Sequence, residues 1–139
     1  MSKKQQKNNK QTPHTDSNNI SKIGIDIVEI SRIERILQKY NNAFLKRFLR
    51  KKEIKLLESK AFVASSVAGF FASKEACSKA LGVGISKHLA FKDMILSYTR
   101  TNAPQISLSK RAKKYVGNKS LSLSISHDGG FAIAVVVAI

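Results

Sequence analysis

The sequence has few acidic residues and a single cysteine. Nine Asp and Glu residues stand against 25 Lys and Arg residues in a chain of 139, which gives a formal net charge of +16. Because Cys77 has no second cysteine with which to form an intramolecular disulfide, we expect a reducing compartment. The sequence has neither an apolar run of the roughly 18 residues that a membrane helix needs nor a secretory signal. We therefore expect a cytoplasmic protein without a membrane partner.

The positive charge is concentrated in one segment. Residues 32–60 contain ten Lys and Arg residues and three Glu residues, a local charge of +7. Such a segment attracts polyanions, which include nucleic acid, anionic membrane, phosphorylated ligands and acidic proteins, although it can also be a solvated surface. The aromatic residues there are Tyr40, Phe44 and Phe48, and the two phenylalanines fit a core. This scarcity of stacking groups argues against binding of single-stranded nucleic acid.

The pattern predicts one α+β domain over residues 21–139, preceded by a disordered polar arm at residues 1–20. Ile23, Ile25 and Ile27 alternate with Gly24 and Asp26, as in a strand with the acid on the opposite face. A block of helices is inserted after this first strand. We predict a first helix capped by Ser31 with Glu34, and further helices at about 43–49, 51–59 and 61–81.

The rest of the chain reads mainly as antiparallel strands. We predict strands at 93–100 and 105–109, and a short basic helix at about 109–116. The chain then ends in a C-terminal hairpin, in which alternating Leu121, Leu123 and Ile125 are followed by a turn at residues 127–130. The helix at 61–81 is apolar on most sides and should lie at the centre of the domain.

Two acidic residues lie within otherwise apolar elements. Asp26 is in the first strand and Glu75 is in the long helix, and a buried carboxylate is costly without a partner. Mg²⁺ takes a few carboxylates together with water and substrate phosphates, so the pair predicts a metal–phosphate site. The alternative is structural: Asp26 pairs with a nearby lysine, and Glu75 pairs only with Lys79, four residues later on the same helix face.

The residues around Glu75 fit phosphate chemistry. Lys74 and Lys79 flank it and could neutralise charge on a pyrophosphate, with Lys79 favoured because it shares the face of Glu75. Gly82 and Gly84 follow the helix and suit either a C-cap or a phosphate cradle, but the order of a P-loop is missing. His127, at a strand end beside serines, could contact phosphate or transfer a proton, or could be a turn residue. The sequence has no hydrolase nucleophile elbow, and Cys77 fits a packing role.

Three segments together resemble one family, the holo-acyl-carrier-protein synthases, which are small bacterial 4′-phosphopantetheinyl transferases. The segments are GIDIVEI with SRI at residues 24–33, KEACSKALGVG at residues 74–84, and SISHD at residues 124–128. Their order and spacing agree with the family, and the match extends over about residues 22–139. An acid in a strand combined with Lys-Glu-Ala-x-x-Lys-Ala-x-Gly is a specific pattern.

The resemblance implies transfer of the phosphopantetheine arm of coenzyme A to a serine of apo acyl carrier protein, in support of fatty acid biosynthesis, with release of adenosine 3′,5′-bisphosphate. It implies Mg²⁺ held by Asp26 and Glu75, and phosphates near Lys79. It further implies a homotrimer with coenzyme A between subunits. The glycine loop and His127 would lie near the coenzyme.

The resemblance also places Arg32 against the carrier protein, and the charge of its segment extends that expectation to Arg47 and Arg50. Glu75, His127 and metal-bound water are all candidates for the base that removes the serine proton. A small basic nucleic-acid-binding protein without catalysis is the alternative function, which explains the charge but not the two acids in apolar elements.

The chain departs from the family pattern in three places. Phe70 stands where an arginine is common, so a phosphate contact must be missing or supplied elsewhere, for which Lys74 is a candidate. Val83 replaces the usual Thr between the glycines, which removes a hydroxyl. The polar arm has no counterpart in the motifs.

Overall fold

The computed structural model, which describes residues 22–139, confirms the predicted α+β class. The predicted arm at residues 1–20 lies outside the described range. The elements in chain order are β1 (Lys22–Glu29), α1 (Ile30–Tyr40), α2 (Asn42–Phe48), α3 (Lys51–Glu58), α4 (Ala64–Ala80), a 3-10 turn (Phe91–Asp93), β2 (Met94–Tyr98), β3 (Pro104–Leu108), α5 (Lys110–Val116), β4 (Leu121–Asp128) and β5 (Phe131–Ala138). The four predicted helices of the inserted block are α1 to α4.

The strands form two antiparallel sheets. The main sheet has the order β1-β5-β4, so the N-terminal strand pairs with the last strand of the chain. Strands β2 and β3 form a separate two-stranded sheet. The predicted C-terminal hairpin is confirmed, but its turn is shorter than expected, because His127 and Asp128 continue β4 and only Gly129 and Gly130 connect the strands. Both glycines have positive φ, as a two-residue hairpin turn requires.

Strand β1 buries the face opposite to the one that its isoleucines suggest. Ile23, Ile25 and Ile27 are 69%, 58% and 58% exposed, whereas Gly24 and Val28 are buried against the helices. Alternation identified the strand correctly, but it does not say which face meets the core. The acid-bearing face is the inner one, so Asp26 points toward the domain interior.

Helix α4 lies across the main sheet and makes the core with it. Small residues of β5, among them Ala132 and Ala134, are completely buried beneath the helix, as is Cys77 on the helix itself. Burial raises the pKa of the Cys77 thiol to about 12, in keeping with a packing role. None of the helices within residues 22–139 has the length and apolar character needed to cross a membrane.

Two predicted helix starts are wrong. Helix α1 begins at Ile30 with Glu29 as its N-cap residue, and the Ser31 hydroxyl donates a hydrogen bond to the Glu29 carboxylate instead of capping the helix. Helix α4 begins at Ala64, because Ala61 and Phe62 have positive φ and form a turn after α3. Elsewhere Ser109 caps α5, where its hydroxyl accepts from the backbone N–H of Ala112.

Candidate functional site

Asp26 and Glu75 lie where β1 crosses α4, and a glycine makes this crossing possible. A Cβ atom on Gly24 would lie 2.0 Å from the carbonyl oxygen of Ala76 and 2.5 Å from the amide nitrogen of Ala80. A residue larger than glycine therefore cannot occupy this crossing without displacing backbone. Asp26 is two residues beyond Gly24 on the same strand face, and Glu75 and Lys79 directly precede the two helix residues that Gly24 contacts. The crossing thus brings the three charged side chains together.

Lys79 contacts the strand acid and not its helical neighbour. Its ammonium Nζ lies 3.1 Å from Asp26 Oδ1 and 3.0 Å from the carbonyl oxygen of Ile25. The side chain of Asp26 is 17% exposed and that of Lys79 is 53% exposed, so the cluster opens to solvent on the lysine side. The Lys79–Asp26 ion pair is the structural alternative that the sequence left open for Asp26.

The electrostatic setting of Glu75 shows that the two acids are close. Burial raises the pKa of the Glu75 carboxyl above its ordinary value, the negative charge of Asp26 raises it further, and Lys79 lowers it. Two carboxylates that repel each other in a partly buried position gain from a shared cation. The cluster therefore combines two oxygen donors, one lysine and an opening to solvent.

The donor chemistry fits a hard divalent cation that retains other ligands. No group of three or more His, Cys, Asp or Glu side chains arranged to hold a metal occurs within residues 22–139. A closed site with protein ligands only is therefore not present in this part of the chain. Mg²⁺ commonly takes one or two carboxylates and completes its shell with water and substrate phosphates, which is the arrangement that Asp26 and Glu75 could serve.

Lys74 does not belong to this cluster, and its contacts do not favour the predicted role in binding the coenzyme. Its side chain is fully buried on another side of α4. Its Nζ donates to the carbonyl oxygen of Phe48 at 2.7 Å, to Glu53 Oε1 at 2.9 Å and to the carbonyl oxygen of Phe91 at 3.0 Å. All three protons of the ammonium group are used, so none is free for a phosphate.

The glycine loop after α4 has the geometry of a helix C-terminus. Gly82 and Gly84 have φ of 75° and 62°, which favour glycine, and their amides donate to the carbonyl oxygens of Lys79 and Ser78. A Cβ at either glycine would have no atom within 4 Å, so within one chain the loop borders open space. Val83 between them is 42% exposed. The role of this loop as a phosphate cradle stays a prediction.

His127 lies on the far edge strand of the main sheet. Its Nε2–H donates to the carbonyl oxygen of Ser65 at 2.9 Å, near the start of α4. Strand β5 separates β4 from β1, and two strand spacings are roughly 10 Å. One chain therefore does not bring His127 to Asp26, although its exposed side chain is accessible from outside.

The three arginines predicted to contact the carrier protein are exposed but line different surfaces. Arg47 borders a cavity of about 290 Å³ that it shares with Ile36 and Phe44, among other residues. Arg32 precedes Ile36 by one helical turn and so lies on the same face of α1. Arg50 borders another cavity, of about 600 Å³, and its Nε donates to the carbonyl oxygen of Lys92.

Phe70 is a core residue here. It is 2% exposed, and its ring centroid lies 6.2 Å from that of Tyr98. The Nζ of Lys60 lies 4.3 Å from the centroid of the Tyr98 ring. The position where an arginine is common is therefore filled by an apolar contact, and buried Lys74 does not replace the missing charge.

Sequence reasoning missed the two most buried acids. Glu53 is completely buried and Asp93 is 6% exposed. Burial acts to raise the pKa of Asp93, but hydrogen bonds from Arg111, Ser109 and the Ala90 amide outweigh it and hold the pKa below its ordinary value. The only signal for Glu53 was its position in the first turn of a helix, where its carboxylate accepts from the Arg50 amide. Neither acid lies in the Asp26–Glu75 cluster.

Comparison with known proteins identifies relatives of this chain. The family model described as "4′-phosphopantetheinyl transferase superfamily" matches residues 22–136. The holo-[acyl-carrier-protein] synthase of Helicobacter acinonychis is 57% identical over 115 residues, which are 83% of this chain and 97% of the relative. That of Campylobacter lari is 50% identical over 114 residues, or 82% of this chain and 95% of the relative.

Solved structures are similar over the same range. The crystal structure of Helicobacter pylori holo-[acyl-carrier-protein] synthase in complex with coenzyme A has a TM-score of 0.78 and 56% identity, and the match covers 84% of this chain and 99% of that one. The Neisseria meningitidis holo-[acyl-carrier-protein] synthase has the same TM-score at 30% identity, with 85% and 97% covered.

Proposed function

The chain belongs to the 4′-phosphopantetheinyl transferase superfamily, and from this membership we infer that it catalyses the holo-acyl-carrier-protein synthase reaction. It transfers the 4′-phosphopantetheine arm of coenzyme A to a serine hydroxyl of apo acyl carrier protein and releases adenosine 3′,5′-bisphosphate. The observation that carries this function is the agreement of relatives with this activity over nearly their whole length. The nucleic-acid-binding alternative has no such support, and Phe44 and Phe48 pack in an aromatic cluster and not on a stacking surface.

We propose that Asp26 and Glu75 hold Mg²⁺ during the reaction. When bound, the ion would neutralise negative charge on the pyrophosphate of coenzyme A. The support is the paired carboxylates at the opening of the β1–α4 crossing and the raised pKa of Glu75. Lys79, half exposed at the same opening, is placed to bind a phosphate oxygen once coenzyme A is present.

Glu75 and His127 are the two side chains to compare as the base that removes the serine proton. Glu75 has a raised pKa, which improves a carboxylate as a base, but it would also serve the metal. The Nε2 of His127 is engaged with the Ser65 carbonyl, and within one chain His127 lies far from Asp26 and Glu75. We propose Glu75 or a water that it orients as the base, with His127 contacting the coenzyme.

A homotrimer with active sites between subunits is the proposed assembly. The outer face of the main sheet is apolar: exposed Ile23, Ile25 and Ile27 lie beside Val137, Val135 and Ile133 of β5 in the sheet register. Exposed apolar surfaces of this kind mark interaction sites. Association through this face would also explain how His127, remote from Asp26 in its own chain, reaches a coenzyme bound at a neighbour's site.

The groove between α1 and α2 is the proposed contact for the carrier protein. It combines apolar Ile36 and Phe44 with Arg47, and Arg32 lies on the same helix face. An acidic helix that presents an apolar side chain would fit this combination of charge and shape. Arg50 borders a different cavity and would contribute as a more distant charge. We place the reaction in the cytoplasm, in support of fatty acid biosynthesis.

Mass spectrometry tests the reaction directly. Purified protein is incubated with apo acyl carrier protein, coenzyme A and Mg²⁺, and the intact mass of the carrier is measured. The expected result is a gain equal to one phosphopantetheine group, with stoichiometric adenosine 3′,5′-bisphosphate. A carrier variant in which the acceptor serine is alanine is the control and should stay unmodified. An unmodified wild-type carrier at high enzyme concentration would refute the assignment.

A further inference from the structure

The rotation of helix α4 about its axis is not determined by an amphipathic pattern. Eleven of its 17 residues are buried, and small or apolar side chains occur on nearly every side. A helix with one apolar stripe has a single rotation that buries it, whereas burial distinguishes poorly between rotations of a helix that is apolar all round. Yet Glu75 and Lys79 must point toward β1 for the site to exist. Specific contacts must therefore select this rotation.

Gly24 provides such a contact on one side of α4, and Lys74 provides it on another. The Lys74 ammonium joins the carbonyl oxygen of Phe48 at the end of α2, the carboxylate of Glu53 in α3 and the carbonyl oxygen of Phe91 in the 3-10 turn. These acceptors come from three separate segments. Three directional hydrogen bonds fix the position of the ammonium group, whereas an apolar side chain in the same space could pack in several orientations.

Glu53 is held as firmly as its partner. Its Oε1 also accepts from the Arg50 amide at 2.8 Å, and its Oε2 accepts from the Leu96 amide of β2 at 3.0 Å. Both side chains are 0% exposed, and the described residues contain no buried side-chain nitrogen or oxygen without a hydrogen-bond partner. The pair is thus a fixed point that connects α4 to the α2–α3 block and to β2.

The energetics point to a role other than stability. A buried ion pair is on balance often no more stabilising than apolar residues of similar volume, because both ions lose their hydration. Burial lowers the pKa of Lys74 to about 8 even with Glu53 beside it, which shows that this desolvation is substantial. What the pair supplies and an apolar pair would not is a set of directed hydrogen bonds to backbone groups of other segments.

We infer that Lys74 and Glu53 are positioning residues, which set the rotation of α4 and thereby aim Glu75 and Lys79 at Asp26. Lys74 is the immediate neighbour of Glu75, and successive residues of a helix are separated by a fixed angle of 100°. Fixing the direction of one side chain therefore fixes that of the next. The inference rests on the proposed role of the Asp26–Glu75–Lys79 cluster, but it concerns residues that contact neither coenzyme nor carrier protein.

A paired apolar substitution tests the inference. Glu53→Leu with Lys74→Met removes both charges together and keeps the volume, but it leaves the carbonyl oxygens of Phe48 and Phe91 without these partners, so the melting temperature should fall and rates are measured well below it. The rate constant at saturating substrates should fall about 10- to 100-fold, as displacements near 1 Å can cause. The KM for carrier protein should change little, because the α1–α2 groove is intact. Mn²⁺ binding is also titrated with coenzyme A present and carrier protein absent, so that no turnover occurs. Electron paramagnetic resonance should then show weaker Mn²⁺ binding than in the wild type.

Matched variants separate this effect from general destabilisation. Arg111→Met breaks a different ion pair, between Arg111 and the mostly buried Asp93, and should lower the melting temperature while leaving the rate constant unchanged. If the apolar pair does not fold, Glu53→Gln with Lys74→Gln keeps polar groups in place but loses the three-point ammonium contact, and the same loss of rate is expected.

Each outcome decides. A folded apolar pair with wild-type rate constant and wild-type Mn²⁺ binding overturns the inference, and so does an equal loss of rate in Arg111→Met at the assay temperature. The proposed metal role of the two acids fails separately: Asp26→Asn and Glu75→Gln would then retain full activity, whereas an unmodified wild-type carrier would refute the proposed function itself. If those two variants are inactive and the apolar pair is fully active, only the positioning role is refuted.

Discussion

Single residues decide the geometry of the site. Gly24 permits the approach of β1 to α4, Asp26 and Glu75 supply the two carboxylates at the crossing, and Lys79 bonds to Asp26. A larger residue in place of Gly24 could not fit the crossing, and an uncharged or shorter side chain in place of the other three could not make the same contacts. Variants at these positions should therefore separate loss of chemistry from loss of fold.

Replacing either acid should remove activity and keep the fold. Asp26→Ala or Glu75→Ala deletes one of the two protein ligands proposed for Mg²⁺, so transfer should fall by at least about 10²-fold, the scale of a lost transition-state charge contact. Rates are measured at limiting and at saturating Mg²⁺, with circular dichroism as the fold check. A folded Asp26→Ala variant with near-normal turnover at limiting Mg²⁺ would exclude the metal pair.

Gly24→Ala should destabilise the whole domain. The added methyl group would lie 2.0 Å from the backbone oxygen of Ala76, and a helix backbone cannot move aside as a flexible side chain can. We expect the free energy of unfolding to fall by about 3 kcal/mol or more, measured by urea denaturation. Gly129→Ala is the control: its methyl would meet nothing within 4 Å, so only the positive φ opposes it, at about 1 kcal/mol. Equal losses in the two variants would contradict the close-approach argument.

At the scale of elements, different helices of the inserted block carry the surface proposed for the carrier protein and the residues proposed for the metal site. Helices α1 and α2 present cations and an apolar groove to solvent, whereas α4 presents Glu75 and Lys79 to β1. The Lys74–Glu53 pair, whose side chains are both fully buried, connects the two parts. Substrate recognition and metal binding should therefore respond to different substitutions.

Charge reversal on α1 should affect the carrier protein alone. Arg32→Glu should raise the KM for carrier protein several-fold and leave that for coenzyme A nearly unchanged, because charges at an interface rim mainly change the association rate. The wild-type rate at subsaturating carrier should fall as salt rises, since exposed charges are screened over about 10 Å at 0.1 M. Lys113→Glu, exposed on α5, is the matched control and should have little effect. Parallel rises in both KM values, or a salt-insensitive rate, would remove the arginines from carrier binding.

At the scale of the molecule, the main sheet has one covered face and one open apolar face. Helix α4 covers the inner face, while the isoleucines of β1 and their neighbours on β5 form the outer one. A surface of this composition is typical of subunit interfaces. Assembly through it would bring residues of different chains into one active site.

Light scattering should give a mass three times the 15.4 kDa of one chain. Ile25→Glu places a charge in the centre of the open face and should yield monomers with little activity, while Tyr115→Glu, on exposed α5, should stay assembled. Monomers at concentrations that support full wild-type activity would refute the trimer.

The sequence alone determined the class of fold and singled out the two acids proposed to hold the metal. Alternation and helical periodicity are local properties, so they identified β1, the helical block and the hairpin within a few residues. Asp26 and Glu75 could be singled out because a charge within an apolar element is visible in the sequence. Glu53 could not be singled out in this way, because α3 is rich in lysine and an acid in it matches a solvated helix face.

The tertiary structure decided which face of each helix and strand is buried and which is exposed. Lys74 and Lys79 are both lysines of one helix, and only the position of the neighbouring elements makes one a buried partner of Glu53 and the other a solvent-facing partner of Asp26. The outward direction of the β1 isoleucines was likewise decided by contact, because Gly24 leaves room for α4 on its own face of the strand. A periodic pattern specifies two faces of an element, but packing against other elements determines which face is inside.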